Sequence, residues 1–204
     1  MGPFVGRQLE LEVLRTRLAM ATSGQPQVVQ IEGPAGIGKT ALVERFLAGA
    51  DPVPAVLRAS GEETEELLAN GVLEQLARSA GAPGAALAGR PVVLVVDDLH
   101  WADLPSRQAL IFVLRRLVAD PVLALLAVRD EAVAGMPESL RRLVTGHRGS
   151  ALRLRGLDEQ DLRELADRLG VAGFGPGAAR RLRYSTQGNP LHARALLEEV
   201  PAER

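Results

Sequence analysis

The chain has 204 residues, of which 47% are hydrophobic, enough for one full domain and a small accessory domain. A formal net charge of −1 and an aromatic content of 3% disfavour a nucleic-acid or membrane partner and a base-stacking surface. The absence of cysteine excludes disulfides and thiolate metal sites, and no apolar run is long enough to span a membrane or act as a signal core. We therefore expect a cytoplasmic protein.

The N-terminal segment carries a short motif and then a helical pattern. Residues 4–7 read Phe-Val-Gly-Arg, and the pattern that follows from Gln8 to Ala21 has Leu11, Leu14 and Leu18 on one stripe. This spacing predicts a helix that packs on the domain that follows it.

Residues 33–40 read Gly-Pro-Ala-Gly-Ile-Gly-Lys-Thr, between an apolar run at 28–31 and a helical pattern at 41–47. Strand, glycine loop, Gly-Lys-Thr and helix, in that order, are typical of a phosphate-binding P-loop. Glycines let backbone N–H groups turn toward an anion at the positive end of the helix. Lys39 would reach the β- and γ-phosphates, and the Thr40 hydroxyl would ligate Mg²⁺.

Lysine usage supports the phosphate-binding interpretation. Lys39 is the only lysine among the 24 lysine and arginine residues. Because arginine is a planar fork and lysine a compact charge on a thin stem, the two are not interchangeable in a tight phosphate loop. The chain thus uses lysine only where arginine would not fit.

The next segment predicts a short strand over 55–59 and a helix over Glu62–Arg78, which Gly71 should kink or split. A linker rich in glycine, alanine and proline follows from Gly81 to Arg90.

Two adjacent carboxylates follow the apolar run Val92–Val96, which is typical of a strand buried on both faces of a parallel sheet. Asp97 and Asp98 would be costly at the carboxyl end of such a strand, because burial disfavours charge and like charges repel. They become reasonable if a bound metal and a water use them, at the sheet edge where α/β folds bind ligands. An ordinary charged turn is the alternative.

The pattern continues with a helix capped by Asp103 and then the buried strand Val122–Val128. The helix should bury a stripe formed by Leu110, Ile111, Leu114, Leu117 and Val118. Arg129 follows the strand, where it could contact a γ-phosphate or simply be a solvated strand end.

A helix over Ser139–Val144 and an edge strand around 152 complete an alternation of strands near 28, 55, 92, 122 and 152 with helices. Such an alternation predicts parallel βαβ units. We therefore expect an α/β domain over residues 1–156.

Residues 157–204 should form a separate helical subdomain. Asp158 is expected to cap a helix, a glycine-rich turn follows it, and residues 178–185 form a second helix. Gly188 would end that helix, with Asn189 as the N-cap and Pro190 as the first residue of a final helix up to Val200.

With these motifs in view, the chain resembles the ATPase module of signal-transduction ATPases with numerous domains (STAND), a branch near the AAA+ group. It is most similar to the N-terminal ATPase region of large LuxR-type transcription regulators. The matching residues are Phe-Val-Gly-Arg at 4–7, the P-loop at 33–40, Val-Asp-Asp-Leu-His-Trp-Ala-Asp at 96–103, Val-Arg-Asp at 128–130 and Gly-Asn-Pro-Leu at 188–191.

The resemblance implies a P-loop NTPase with a five-stranded parallel sheet in the order 5-1-4-3-2, helices on both faces and a small C-terminal helical lid. It implies that Val5 and Arg7 lie near the adenine and ribose, and that Arg129 is the sensor arginine. It also implies that Asn189 and Pro190 close over the adenine. The chain departs from the family in two ways. The stretch between the P-loop helix and the acidic strand is shorter than usual. The chain also ends at Arg204, where the family normally continues into further domains, so we expect either an excised module or a short stand-alone relative.

These observations predict an ATP/ADP-binding switch with slow, Mg²⁺-dependent ATP hydrolysis. Lys39, Asp98 and Arg129 would be catalytic, and Thr40 and Asp97 would hold Mg²⁺. Asp98 is one methylene shorter than the glutamate of fast relatives, so it should place water loosely and turn over slowly. The nucleotide-binding residues would be Val5, Arg7, Gly33, Gly36, Ile37, Gly38, Lys39, Thr40, Ala41, Asn189 and Pro190.

The expected partners are an adenine nucleotide, the other domains of a larger regulator and a second copy in the ATP state, with no membrane and no direct nucleic-acid contact. Three alternatives stay open: a P-loop kinase, a DNA-acting AAA+ ATPase, and a nucleotide-holding scaffold without hydrolysis. The acid pair Asp97-Asp98 disfavours a kinase, and the near-neutral net charge disfavours a DNA-acting ATPase. The sequence does not separate the third from a slow ATPase.

Overall fold

The computed structural model describes residues 2–65, 69–81 and 89–199. The strands are β1 (Gln27–Glu32), β2 (Ala55–Ser60), β3 (Val92–Asp97), β4 (Val122–Val128) and β5 (Gly149–Arg153). The helices are α1 (Gln8–Thr22), α2 (Lys39–Ala48), α3 (Gly71–Ala80), α4 (Leu104–Arg116), α5 (Asp130–Val133), α6 (Glu138–Thr145), α7 (Glu159–Arg168), α8 (Pro176–Thr186) and α9 (Pro190–Glu198).

The strands form one parallel sheet in the order β2-β3-β4-β1-β5. This is the predicted order 5-1-4-3-2 viewed from the other edge, so the fold prediction is confirmed. Strand β4 lies between β1 and β3, and the three carboxyl ends therefore meet at one edge of the sheet.

Successive side chains along each strand point to opposite faces of the sheet, and most of them are apolar. Helices therefore cover both faces. In β4, Leu123 and Leu125 pack with α1 and α2 on one face. Ala124, Leu126 and Val128 pack on the other face with α4 and α6. Phe46 of α2 is among the largest fully buried side chains.

Helices α7, α8 and α9 pack on one another around a third apolar cluster. This cluster contains Leu157, Leu162, Leu165, Ala166, Leu182, Ala193 and Leu197, and also Val5 from the N-terminal segment. The C-terminal helices fit the lid that the sequence predicts. Asp158 caps α7 as expected, through a capping box with Asp161.

Three details differ from the sequence predictions. Gly71 begins α3 instead of kinking a longer helix, because Asn70 before it adopts a left-handed conformation with φ of 68°. Within the predicted helix at 62–78 the structure has a 3₁₀ turn at Glu63–Glu65, and residues 66–68 lie outside the described part of the chain. Val118 is 81% exposed, because α4 ends at Arg116 before reaching it.

Most of the predicted linker at Gly81–Arg90 also lies outside the described residues, as does Val200, the predicted last residue of the final helix. Within the parts of the chain that are described, no helix has the length and apolar character needed to cross a membrane.

Candidate active site

The predicted P-loop connects β1 to α2, and its backbone is open toward a cleft. Gly36 and Gly38 have φ of +75° and +96°, a region that side chains other than glycine rarely adopt. A Cβ atom added to Gly38 would meet nothing within 4 Å. Because α2 begins at Lys39, its first N–H groups have no partner within the helix and point out of its positive end.

Lys39 is only 8% exposed and holds the loop from inside. Its Nζ donates hydrogen bonds to the carbonyl oxygens of Gly33, at 2.8 Å, and Pro34, at 3.1 Å. Burial lowers the pKa of Lys39, and the nearby carboxylates of Asp98 and Asp97 partly oppose that shift. An ammonium has three donors, so one remains for an anion.

Thr40 and Asp97 meet where the first turn of α2 faces the carboxyl end of β3. The Thr40 hydroxyl donates to Asp97 Oδ2 at 2.5 Å, and the backbone N–H of Asp98 donates to Asp97 Oδ1 at 3.1 Å. A hydroxyl and a carboxylate are the hard oxygen ligands that Mg²⁺ accepts.

Asp98 follows β3 in a left-handed conformation, with φ of 44° and ψ of 45°. The bend starts a 3₁₀ turn, Leu99–Trp101, and directs a half-exposed carboxylate toward the cleft. Asp98 Oδ1 lies 4.0 Å from Arg129 Nε and 3.9 Å from His100 Nε2.

Arg129 lines the same cleft, because β4 lies between the strand that precedes the P-loop and the strand that precedes the acid pair. Its guanidinium carbon lies 6.0 Å from the centre of the Trp101 ring. The sensor role of Arg129 stays a prediction.

Residues 4–7, which we call the strap, connect the P-loop with the lid. Val5 is 6% exposed and belongs to the lid cluster. Arg7 donates to the Ile37 carbonyl at 3.3 Å, and Arg168 of α7 donates to the Phe4 carbonyl at 2.7 Å.

Asn189 joins the lid to the P-loop across 154 residues of sequence. Its Oδ1 accepts from Leu191 N at 3.0 Å as the N-cap of α9, and its Nδ2 donates to the Ala35 carbonyl at 2.8 Å. The Leu191 side chain lies 2.9 Å from the position that a Cβ of Gly36 would take.

Together these elements enclose a cleft of about 820 Å³, within the range of sites that bind small molecules and cofactors. The predicted residues that line it are Val5, Arg7, Gly36, Ile37, Gly38, Lys39, Thr40, Ala41, Asp97, Asp98, Arg129 and Pro190. Gly33 and Asn189 do not line the cleft. The Gly33 carbonyl accepts a hydrogen bond from Lys39 Nζ, and Asn189 Nδ2 donates to the carbonyl of Ala35 in the P-loop.

Sequence reasoning did not assign several residues that the structure brings to the site. Leu157, Leu165, Arg168 and Arg194 line the cleft from the lid, and His100 lies behind Asp98. His100 belongs to the motif at 96–103, so the sequence already placed it close to Asp98. The four lid residues carry no local signal, because only tertiary packing brings them to the cleft.

Comparison with known proteins agrees with this geometry. The family model described as "AAA ATPase domain" matches residues 3–88. The solved structure of the RuvB Holliday junction branch migration motor of Thermotoga maritima is similar, with 20% identity, a TM-score of 0.66, and coverage of 97% of this chain and 62% of RuvB. No curated protein sequence matches the chain.

Two further solved structures are similar over nearly the whole chain. The ADP form of the ORC2 protein of Aeropyrum pernix has 18% identity and a TM-score of 0.58, covering 97% of this chain and 69% of that one. A STAND protein with a tetratricopeptide repeat sensor from Pyrococcus horikoshii has 21% identity and a TM-score of 0.57, covering 98% and 31%. The chain therefore has the fold of the P-loop AAA+ ATPases. The match to the AAA ATPase domain covers residues 3–88 of it.

Proposed function

We propose that the chain is an ATP-binding and slowly hydrolysing switch module. One observation carries this proposal: the only lysine of the chain is buried in a glycine loop and faces, in one cleft, the Thr40–Asp97 pair and the Asp98 carboxylate.

The cleft fits a magnesium-bound nucleoside triphosphate at both ends. Backbone donors at the start of α2 and the third Nζ donor of Lys39 suit phosphate oxygens, which have no protons to donate. Thr40 and Asp97 would hold Mg²⁺, which supplies positive charge against the charge that develops on the phosphates. The apolar side chains of Val5, Leu165 and Pro190 suit the flat faces of a base.

In the proposed mechanism the N–H groups of residues 36–39 bind the β-phosphate, and Lys39 Nζ contacts the transferred phosphoryl group. Asp98 orients the attacking water and accepts its proton, as a carboxylate in hydrogen-bond reach can do. Arg129, 4.0 Å from Asp98, contacts the γ-phosphate and senses its presence. An aspartate has less reach than a glutamate, and a displacement of about 1 Å can cost ~100-fold in rate.

The switch would act through the lid, which we propose as a subdomain over residues 157–204 beside a nucleotide-binding domain over residues 1–156. Asn189 and the strap contact the P-loop directly, so loss of the γ-phosphate would change the lid's contacts. The chain spans 31% of the similar STAND protein. This supports a regulatory module within a larger protein, of which a LuxR-type transcription regulator is our specific suggestion, with self-association in the ATP state.

The test combines nucleotide affinity with single-turnover hydrolysis in the unaltered protein, Lys39→Ala and Asp98→Asn. Truncating Lys39 should weaken Mg²⁺-ATP binding by on the order of 100-fold, because the loop loses a buried charge. Asp98→Asn should leave ADP affinity within about threefold and slow hydrolysis by roughly 100-fold or more.

A Mg²⁺-ATP affinity in Lys39→Ala within about threefold of the unaltered protein would refute the P-loop role. Unchanged hydrolysis in Asp98→Asn would remove that residue from the mechanism. Binding without any turnover in the unaltered protein would identify a nucleotide-holding scaffold.

A DNA-acting ATPase is a second candidate, since the similar RuvB is a Holliday junction branch migration motor and the similar ORC1 protein of Aeropyrum pernix has been solved in complex with DNA. Arg180, Arg181 and Arg183 form an exposed basic patch on α8. DNA binding that weakens steeply with salt, and is lost when these three arginines are replaced, would support this candidate.

A further inference from the structure

His100 has the most unusual surroundings of the polar side chains near the cleft. Its side chain is 6% exposed, and neither ring nitrogen has a hydrogen-bond partner among the residues that the structure describes. A buried imidazole without a partner costs free energy, so its presence calls for an explanation.

The local backbone directs this ring toward Asp98. Leu99 and Ala102 are each 1% exposed and anchor the 3₁₀ turn in the apolar cluster beneath β3 and β4. The backbone of Gly61 closes the turn from the other side, where an added Cβ would lie 2.5 Å from the Asp98 carbonyl oxygen. The turn therefore has little freedom, and it leaves His100 Nε2 3.9 Å from Asp98 Oδ1.

Burial lowers the pKa of His100, with Asp98 opposing the shift, so the ring is neutral near pH 7 and carries a single N–H. Arg129 approaches the same Asp98 oxygen. Two donors on Oδ1 would leave Oδ2 free to bind the attacking water. They would also restrain the Asp98 carboxylate, whose side chain is one methylene shorter than that of a glutamate.

We infer that His100 is a positioning residue: its Nε2–H already faces Asp98 Oδ1 in the nucleotide-free protein, donates to it when nucleotide binds and, together with Arg129, holds the carboxylate toward the attacking water. This inference rests on the proposed function of Asp98. It adds a residue that acts only through Asp98 and contacts neither nucleotide nor metal.

The kinetic test compares His100→Leu, which fills the space without a donor, with His100→Gln, which keeps an N–H near the position of Nε2. His147→Leu is the matched control, because His147 is exposed and lies just before β5, at the amino end of the sheet. His100→Leu should slow single-turnover ATP hydrolysis by about tenfold or more, with ADP affinity within about twofold. His100→Gln should recover most of the rate, and His147→Leu should match the unaltered protein.

A full rate in His100→Leu would overturn the inference. So would a His100→Gln variant as slow as the leucine variant, since the ring would then matter only for packing. ADP affinity and the thermal midpoint report whether each variant is folded.

A second measurement needs no hydrolysis and no change at His100. The chain has 3 histidines, so ¹⁵N resonances of its imidazoles can be assigned in the nucleotide-free protein. We expect His100 as the neutral Nε2–H tautomer, with ring resonances that shift in Asp98→Asn. The Nδ1–H tautomer, or resonances that ignore Asp98→Asn, would contradict the pairing even if the protein proves to be an ATPase. Conversely, failure to bind ATP would refute the proposed function and leave this readout intact.

Discussion

The two ends of the cleft are built in different ways. At the phosphate end, Lys39 is 8% exposed and bound to two carbonyl oxygens, and Thr40 is bound to Asp97. At the base end, Arg168 and Arg194 are exposed, and the walls come from the strap and the lid. The phosphate end is thus formed within one βα unit and its neighbouring strands, whereas the base end depends on contacts between distant segments.

This difference has a consequence for function. If the proposed function holds, local and buried contacts give a site that is arranged for phosphates before nucleotide arrives. Contacts between the strap, the lid and the P-loop involve few hydrogen bonds, and each can be made or broken at small cost. The phosphate end should therefore set affinity and chemistry, and the base end should set how nucleotide state reaches the lid.

The largest expected effect comes from Lys39→Arg, which keeps the charge and changes only its shape. The ammonium lies within a buried loop where a guanidinium fork cannot make the same contacts. We expect Mg²⁺-ATP binding to weaken by roughly 10- to 100-fold, about 1.4–2.7 kcal/mol, measured by titration with a fluorescent nucleotide.

Arg45→Lys is the matched control, because it makes the reverse exchange at an exposed position lining the same cleft. Its nucleotide affinity should stay within about twofold of the unaltered protein, as for other exposed substitutions. Equal affinities in Lys39→Arg and the unaltered protein would show that the phosphate end does not depend on its local geometry.

An intermediate effect is expected at Asn189, where the lid meets the P-loop. Asn189→Asp keeps the oxygen that caps α9 and loses the Nδ2 donor to the Ala35 carbonyl. One hydrogen bond contributes about 0.5–1.5 kcal/mol, so ADP affinity should fall by up to roughly tenfold, and the thermal midpoint should fall by a few degrees because the bond is already present without nucleotide.

Asn189→Ala separates the two roles of this side chain. It removes the cap as well, and loss of an N-cap costs about 1 kcal/mol of stability. The alanine variant should therefore unfold at a lower temperature than the aspartate variant. If Asn189→Asp binds ADP as tightly as the unaltered protein, the contact between lid and P-loop does not take part in binding.

Local chemistry explains which parts of the site could be predicted from the sequence. The P-loop, the acid pair and the caps at Asp103, Asp158 and Asn189 each depend on residues within a few positions, and the capping bonds are present. The strands were predictable because runs such as Val92–Val96 are apolar on both faces. The strand order came from the family resemblance, because periodicity alone does not order a sheet.

The remaining features depend on tertiary packing that a single sequence does not reveal. Val5 was assigned to the nucleotide site, yet it is also part of the lid cluster. Val118 was assigned to a buried stripe by its spacing, but α4 ends before it. The direction of His100 follows from the left-handed conformation of Asp98, an unfavourable state for a residue other than glycine that no local pattern indicates.

The smallest effect on function should come from Asp103, which does not line the cleft and links the starts of α3 and α4. It is 3% exposed and caps α4 through Ser106 N, and its Oδ1 also accepts from Asn70 N at the start of α3. Asp103→Ala should lower the free energy of unfolding by about 1–2 kcal/mol, measured with denaturant, and leave ADP affinity nearly unchanged. Asp158→Ala, which removes an exposed cap in the lid, should cost less.

The effect of Asp103 should also depend on pH. Burial alone would raise the pKa of Asp103, but hydrogen bonds from Ser106, Asn70 and Val72 outweigh it and hold the pKa below its usual value. A group whose pKa is lower in the folded state stabilises the protein above its unfolded pKa of about 3.9, and loses that contribution as pH falls through the folded value. The stability difference between the unaltered protein and Asp103→Ala should therefore be constant near neutral pH and shrink below about pH 4. A difference that grows as pH falls would mean that the pKa of Asp103 is raised in the folded state, so that its hydrogen bonds do not outweigh its burial.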